Sequence, residues 1–227
     1  RKQLLQNHQT TKLFWGEYLY KFTFNNSIGY IFRDKNFSRA REVLDQLQTD
    51  YERGNPLIIK KWSREVPLSE LSFLDAKTLY KFLSRANNYQ LRIEGNSTNI
   101  YSNNKEWLHT IKCAINKSNW VGFWEPSEYS INILTPNTIM VDKANGYEFK
   151  VTLGPKQSDT HGFANWARGN PNQVRVGPVL MNNLESQGFV SDLYFYARDE
   201  KTVQLCSLML SNIRRVDKLV VQPINDK

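Results

Sequence analysis

Residues 188–221, GFVSDLYFYARDEKTVQLCSLMLSNIRRVDKLVV, decide the fold. Residues 193–197 are aromatic and alternate as a strand does, and Asp199 is a suitable helix N-cap. A helix to about Asn212 follows, and residues 216–221 are apolar enough for a second strand. A strand, a helix and a strand of this length predict the core of a split β-α-β unit.

The same pattern occurs twice earlier in the chain. Residues 30–35 run from an apolar, aromatic stretch into an amphipathic helix near Val43. Residues 99–104 run in the same way into a helix near Trp107. Each stretch ends in Asp or Asn, whose side-chain oxygen can accept a hydrogen bond from the first helical turn. The chain is therefore expected to repeat one strand-and-helix unit.

These patterns predict an α+β protein of repeated ferredoxin-like, split β-α-β units, as one elaborated sheet or as two fused modules. The 227 residues, 40% of them hydrophobic, suffice for a full core. The predicted organisation is a flexible arm (1–11), a first module (12–118), an interdomain segment (119–130) and a second module (131–227).

Other elements follow from alternation and turn residues. Residues 12–24 alternate aromatic and polar side chains and predict one long strand, with a turn at 25–27 into a strand at 28–33. Glycine-containing turns predict two hairpins. These hairpins pair residues 89–94 with 98–101 through Gly95, and residues 138–142 with 147–153 through Gly146.

The charge balance favours a polyanionic partner. Thirty Lys and Arg residues against twenty-two Asp and Glu give a net charge of +8, spread along the chain. Such a surface attracts nucleic acid, an acidic membrane or an acidic protein, although it also serves ordinary solubility. Frequent asparagine and scarce glycine suit AT-rich coding, as in many viral and phage genomes. An accessory role in viral or phage replication, transcription or packaging would fit this composition.

The sequence also bears on the cellular compartment and on cofactors. An apolar run of about 18 residues and a signal sequence are absent from the sequence, so we expect no membrane partner. Cys113 and Cys206 lack metal or disulfide spacing, which favours a cytoplasmic or otherwise intracellular, reducing compartment. Glycine-rich phosphate loops are also absent, so nucleotide cofactors are not expected.

One short motif carries possible catalysis. Asp142 is followed, on the next predicted strand, by Glu148-Phe149-Lys150. This arrangement resembles the PD-(D/E)xK nucleases. The resemblance implies Asp142 and Glu148 as Mg²⁺ ligands and Lys150 as the residue that orients water or offsets charge at the phosphate. The chain departs from that family by having Val141 before the first acid and a shorter spacing between the acids.

Binding is the class that more residues favour. A ferredoxin-like sheet presents an open face where aromatic rings stack on single-stranded bases and basic side chains contact phosphates. Strand aromatics also serve as core residues, which is the alternative role for these tyrosines. The predicted stacking residues are Tyr194, Tyr196, Tyr101 and Tyr89. The predicted phosphate contacts are Arg92, Arg175, Arg198, Arg214 and Arg215.

A second group lies in residues 164–175, ANWARGNPNQVR, where a short helix at 163–167 and a loop at 168–175 are predicted. Trp166, Arg168 and Arg175 occur there with no acidic residue. An aromatic ring between two arginines suits contacts to bases and phosphates, and it equally suits a protein interface. The sequence therefore predicts a protein that binds single-stranded nucleic acid or RNA. The alternatives are a Mg²⁺-dependent nuclease and a structural or assembly subunit with a protein partner.

Overall fold

The computed structural model describes residues 6–61, 64–155 and 160–222 and confirms the α+β class. The strands are β1 (Gln6–Gln9), β2 (Tyr20–Asn25), β3 (Ile58–Lys61), β4 (Arg64–Pro67), β5 (Tyr89–Glu94), β6 (Ser97–Ser102), β7 (Trp120–Glu125), β8 (Thr138–Val141), β9 (Phe149–Leu153), β10 (Val174–Val176), β11 (Tyr194–Ala197) and β12 (Ile213–Val221). The α-helices are α1 (Phe37–Glu52), α2 (Glu70–Leu83), α3 (Lys105–Ala114), α4 (Glu128–Ile131), α5 (His161–Gly169), α6 (Pro178–Glu185) and α7 (Glu200–Met209).

The chain folds as two compact units. The first comprises the described parts of residues 1–10 and 17–127, and the second comprises those of residues 11–16 and 128–227. Each unit has its own hydrophobic core. Within the described ranges, no helix combines the length and the apolar character needed to cross a membrane.

The first unit contains a five-stranded sheet in the order β1-β7-β2-β6-β5. The β1 and β7 pair is parallel, and the other pairs are antiparallel. Alternate residues such as Phe22 and Phe24 of β2 are fully buried, in one cluster with Phe73 of α2 and Leu108 of α3. The helices therefore pack on one face of the sheet, where they remove these apolar side chains from water.

The second unit contains a five-stranded sheet in the order β10-β11-β9-β12-β8. β9 lies between β11 and β12 and is antiparallel to both, so β11 and β12 run parallel on either side of it. Helix α7 connects these two strands. This is the split β-α-β arrangement that residues 188–221 predict, whereas the full ferredoxin-like form stays a prediction.

Helix caps follow the sequence signals closely. The Asp199 side chain accepts hydrogen bonds from the backbone nitrogen and the hydroxyl of Thr202, both at 2.8 Å. The Asn104 side chain accepts one from the backbone nitrogen of Trp107 at 2.9 Å. Both helices therefore begin where the sequence predicts, because the cap needs only neighbours three residues away.

One predicted hairpin forms and the other does not. β5 and β6 pair directly, with Gly95 at φ +59° in the turn, which confirms that hairpin. β8 and β9 lie in one sheet, but β12 lies between them and pairs with both. The hairpin predicted across Gly146 was therefore wrong. Pairing of β8 and β9 with β12, near the end of the chain, took the place of the direct pairing that the turn residues predict.

Two other strand predictions differ from the structure. Of the long strand predicted for 12–24, only residues 20–24 belong to a strand, β2, since Trp15 and Gly16 have positive φ values of 58° and 74° and turn the chain. The strand predicted at 28–33 is a 3-10 helix, Gly29–Phe32, whose Phe32 side chain is buried in the core. Buried aromatic packing does not require a strand, so the composition of this stretch was misleading.

The predicted arm and interdomain segment both contribute to the first sheet. β1, from within the arm predicted at residues 1–11, pairs parallel with β7, which lies within the segment predicted at 119–130. Residues 1–5 of that arm lie outside the described residues. The polar composition of β1 resembles that of a frayed arm, because a strand at the edge of a sheet needs backbone hydrogen bonds more than apolar side chains.

Candidate nucleic-acid interface

Alternation along the second sheet separates two sets of side chains. Val151 of β9 and Phe195 of β11 are completely buried in the core formed with α5, α6 and α7. Their neighbours along each strand therefore project to the opposite side of the sheet. We call this side the tyrosine face, and its members are Lys150, Thr152, Arg175, Tyr194, Tyr196, Arg215 and Asp217.

The strand register places these side chains in two rows. In the first row, Arg175 lies opposite Tyr196, Tyr196 opposite Lys150, and Lys150 opposite Asp217. In the second row, Tyr194 lies opposite Thr152, and Thr152 opposite Arg215. Directly opposite residues are neighbours across a sheet, so the two rows bring aromatic and basic groups close together.

The aromatic rings are in contact with each other and with a cation. The Nζ atom of Lys150 lies 3.8 Å from the ring centroid of Tyr194. The rings of Tyr194 and Tyr196 meet edge to face at 5.5 Å, and Tyr147 stacks on Tyr196 at 6.4 Å. Burial, together with the neighbouring Tyr194, raises the pKa of Tyr196, although Arg175 opposes this shift. The phenol therefore remains neutral at physiological pH and can stack on a base.

The central acid of the face is neutralised within the unit. Asp217 has no exposed surface, and its carboxylate oxygens lie 2.9 and 3.0 Å from Nζ of Lys12. Its Oδ2 also accepts a hydrogen bond from Nε of Arg215 at 2.8 Å. Burial lowers the pKa of Lys12, against the attraction of Asp217. Two cations share one carboxylate, so this cluster carries a net positive charge.

One buried hydroxyl group of the face, that of Thr152, lacks a hydrogen-bond partner among the described residues. Thr152 is only 7% exposed. Most buried hydroxyl groups in proteins are paired, so Thr152 is an exception within this face. A neighbouring cleft of about 440 Å³, lined by Asn145, Arg175, Tyr194 and Tyr196 among others, lies within the size range of small-ligand pockets.

The structure brings together some of the predicted binding residues. Tyr194, Tyr196, Arg175 and Arg215 share the tyrosine face, and the exposed Arg198 immediately follows β11 at its end. Arg214 is exposed and forms an ion pair with Asp192 at 2.5 Å. The remaining candidates in the first unit, Arg92, Tyr89 and Tyr101, are on β5 and β6.

The Trp166, Arg168 and Arg175 group does not form one surface. Residues 161–169 form helix α5, which is longer than the short helix predicted at 163–167, because Phe163, Ala164 and Ala167 are buried on one helical face. Trp166 packs against that core, with its ring centroid 5.9 Å from that of Phe163, and Arg168 pairs with Glu185 at 2.5 Å. Arg175 lies on β10 and belongs to the tyrosine face.

The nuclease hypothesis depends on direct pairing of the strands next to Asp142 and Glu148, and these strands do not pair with each other. Asp142 follows β8 and Glu148 precedes β9, and β12 separates these two strands. Lys150 lies opposite Asp217 on β12. Among the residues that the structure describes, no three His, Cys, Asp or Glu side chains form a group that could hold a metal ion.

Sequence reasoning assigned Lys150 to catalysis and overlooked Lys12, Tyr147 and Thr152. The signal for Lys150 and Thr152 was present, since residues 149–153, FKVTL, alternate polar and apolar side chains. Lys12 could not be found in this way, because it reaches Asp217 from a segment far away in the chain.

Comparison with known proteins adds no relative to this picture. No family model, curated protein or solved structure matches the chain. The fold and the site define an α+β protein of two units with a basic, aromatic sheet face. Its function must therefore be argued from the side chains themselves.

Proposed function

We propose that the protein binds single-stranded nucleic acid on the tyrosine face of its second unit. The observation that carries this proposal is the row Arg175, Tyr196, Lys150, with Tyr194 beside it. Base stacking on an aromatic side chain contributes about 1–3 kcal/mol per base, and it tolerates any sequence. Arg175 on β10 and Lys150 on β9 lie on either side of β11 and its tyrosines, and they supply contacts to the phosphates of a strand that lies across the rings.

A single strand fits this face better than a duplex. Rings lying on a sheet need bases that are free to leave their neighbours, as in single-stranded DNA or RNA. Duplex DNA is read by elements that enter a groove, such as a helix or a two-stranded ribbon. The net charge of +8 supports a polyanionic ligand of either kind. The split β-α-β topology, shared with ferredoxin-like sheets that bind RNA, supports the proposal by analogy only.

A protein partner is the second candidate function. Large apolar side chains are exposed in the second unit, with Leu208 of α7 86% exposed and Phe189, after α6, 75% exposed. Exposed apolar groups of this size are common anchors of protein interfaces. An assembly subunit would use these side chains instead of the tyrosine face.

The test measures fluorescence anisotropy of labelled single-stranded RNA and DNA, and of the matching duplex, at low and high salt. We expect tighter binding to the single strands, weakened by Tyr194→Ala and by Lys150→Met. The matched control is Lys201→Met, the same charge change on an exposed residue of α7. No binding to either single strand at low salt would refute the proposal and favour the protein partner. Cleavage that needs Mg²⁺ and is lost in Glu148→Ala would instead favour the nuclease.

A further inference from the structure

The two sheets have the same topology. The first runs β1-β7-β2-β6-β5, and the second, read from its other edge, runs β8-β12-β9-β11-β10. At each step the pair has the same direction: one parallel pair at the edge, followed by three antiparallel pairs. The order of these strands along the chain is also the same, but the elements between them differ. β3 and β4 lie between β2 and β5 in the first unit, and α6 lies between β10 and β11 in the second. The chain therefore contains one sheet topology twice.

The central strands repeat a sequence as well as a position. β2 carries Tyr20-Lys21-Phe22-Thr23-Phe24 and β9 carries Phe149-Lys150-Val151-Thr152-Leu153. Lys21 lies opposite Tyr101 of β6, as Lys150 lies opposite Tyr196 of β11. Each following helix, α3 or α7, has ten residues and a side-chain cap. The repeated pattern thus places equivalent lysines on equivalent faces.

The lysine of the first unit also lies on aromatic rings. Phe22 is buried in the core, so Lys21 projects to the face opposite the helices. Its Nζ atom is 4.2 Å from the ring centroid of Trp124 and 5.7 Å from that of Tyr101. Trp124 in turn stacks on His8, with centroids 4.5 Å apart and an angle of 16° between the planes. We call this side of the first sheet the tryptophan face.

The edge strand adds an arginine to each face. In β5, Leu91 and Ile93 are buried in the core, so Arg92 between them projects to the tryptophan face, opposite Asn99. Arg92 is exposed, and it forms an ion pair with Glu94 at 2.7 Å. Arg175 lies on β10, the corresponding edge strand of the tyrosine face, but it is opposite Tyr196 and is therefore two residues away from the position equivalent to Arg92. Both faces therefore combine a central lysine, an aromatic ring beneath it and an arginine at the edge.

The two faces differ in the hydrogen bonding of their threonines and in the exposure of their tyrosines. Thr23 donates a hydrogen bond to Asn99 at 2.8 Å, whereas the equivalent Thr152 hydroxyl has no partner among the described residues. Burial lowers the pKa of Lys21. Tyr101 is only 5% exposed, whereas Tyr194 is 43% exposed. We therefore expect the tryptophan face to bind its ligand more weakly than the tyrosine face does.

We propose that the tryptophan face is a second binding site for single-stranded nucleic acid, with the stacked rings of His8 and Trp124 as its aromatic contacts and with Lys21 and Arg92 as phosphate contacts. This inference rests on the proposed function of the tyrosine face. Its additional content is that one chain binds two segments of single strand, one on each unit. Two linked sites raise the apparent affinity for a strand that reaches both of them.

The test counts short labelled oligonucleotides bound per chain and compares two matched double variants. Lys21→Met/Arg92→Gln alters the first unit, and Lys150→Met/Arg175→Gln alters the second. The control, Lys81→Met/Arg85→Gln, makes the same changes at exposed residues at the end of α2. Circular dichroism and thermal unfolding confirm that each variant is folded.

We expect two oligonucleotides per chain for the unaltered protein and the control, and one for each variant. Each variant should also reduce the salt dependence of binding to a long strand by about two powers of salt, because each substitution removes one cation that neutralises a phosphate. One oligonucleotide per chain, abolished by the second-unit variant and unaffected by the first-unit variant, would overturn this inference and leave the proposed function intact. Absence of binding by the unaltered protein, or binding that neither variant changes, would overturn both.

Discussion

The Nζ atom of Lys12 lies 2.9 Å from Oδ2 of Asp217, a residue 205 positions later in the chain with no exposed surface. Arg215 donates a second hydrogen bond to the same oxygen at 2.8 Å. Burying a charged carboxylate raises the free energy of the folded state unless the group is paired and hydrogen-bonded. Lys12 and Arg215 therefore offset the cost of burying Asp217 in the second unit. The pair also explains why residues 11–16 fold with the second unit rather than with their sequence neighbours.

Replacing Lys12 should therefore destabilise the protein. Lys12→Met keeps the aliphatic stem and removes the charge, and we expect it to lower the free energy of unfolding by about 1–3 kcal/mol. Urea denaturation followed by circular dichroism measures this change. Lys218→Met, at an exposed position of β12, is the control and should have little effect. Equal unfolding midpoints for both variants would show that the buried pair does not stabilise the fold.

The salt dependence of nucleic-acid binding should distinguish residues that contact phosphates from residues that stack on bases. Arg175→Gln removes one phosphate contact, so the slope of log affinity against log salt should become shallower by about one. Tyr194→Ala should lower the affinity and leave that slope unchanged, because stacking releases no counterions. Arg168→Gln, on α5, is the matched control. A slope that Arg175→Gln leaves unchanged would place the phosphate contacts elsewhere.

Loss of a helix cap should weaken the first unit. Asn104→Ala leaves the backbone nitrogen of Trp107 without its side-chain acceptor at the start of α3. The expected loss is about 0.5–2 kcal/mol of unfolding free energy, and Asn104→Asp should restore most of it because aspartate caps equally well. Chemical denaturation of the three proteins tests the pair. If Asn104→Asp were as unstable as Asn104→Ala, the cap would not be the cause.

Stability should fall in alkali through Tyr89. Burial raises the pKa of Tyr89 to about 12, from the usual 10.0 for tyrosine. The unfolded chain therefore loses this proton first, so the stability from Tyr89 is complete below pH 10 and is lost as the pH rises through about 12. We expect unfolding free energy to fall less between about pH 9 and about pH 11 in Tyr89→Phe than in the unaltered protein. Parallel pH profiles for the two proteins would contradict this assignment.

Local signals in the sequence predicted the elements that depend on near neighbours. Asp199 and Asn104 cap their helices because the acceptor and the donor are three residues apart. The hairpin through Gly95 forms because one turn brings its two strands together. Tyr194 and Tyr196 were recognised as candidate binding residues from strand alternation alone, and the register places them on one face.

Tertiary structure decided what depends on competition between distant segments. β12 pairs between β8 and β9, which separates the strands next to Asp142 and Glu148 and replaces the hairpin predicted through Gly146. Core packing placed Trp166 of α5 against Phe163 and so removed it from the candidate surface.

The sequence by itself thus determined helix starts, one hairpin and the α+β class, because these follow from hydrogen bonds and periodicity within a few residues. Only the tertiary structure decided which strands are neighbours, and with them the row Arg175, Tyr196, Lys150 and the burial of Asp217. Strand pairing satisfies the same backbone groups with any partner, so the choice is made by burial over the whole chain.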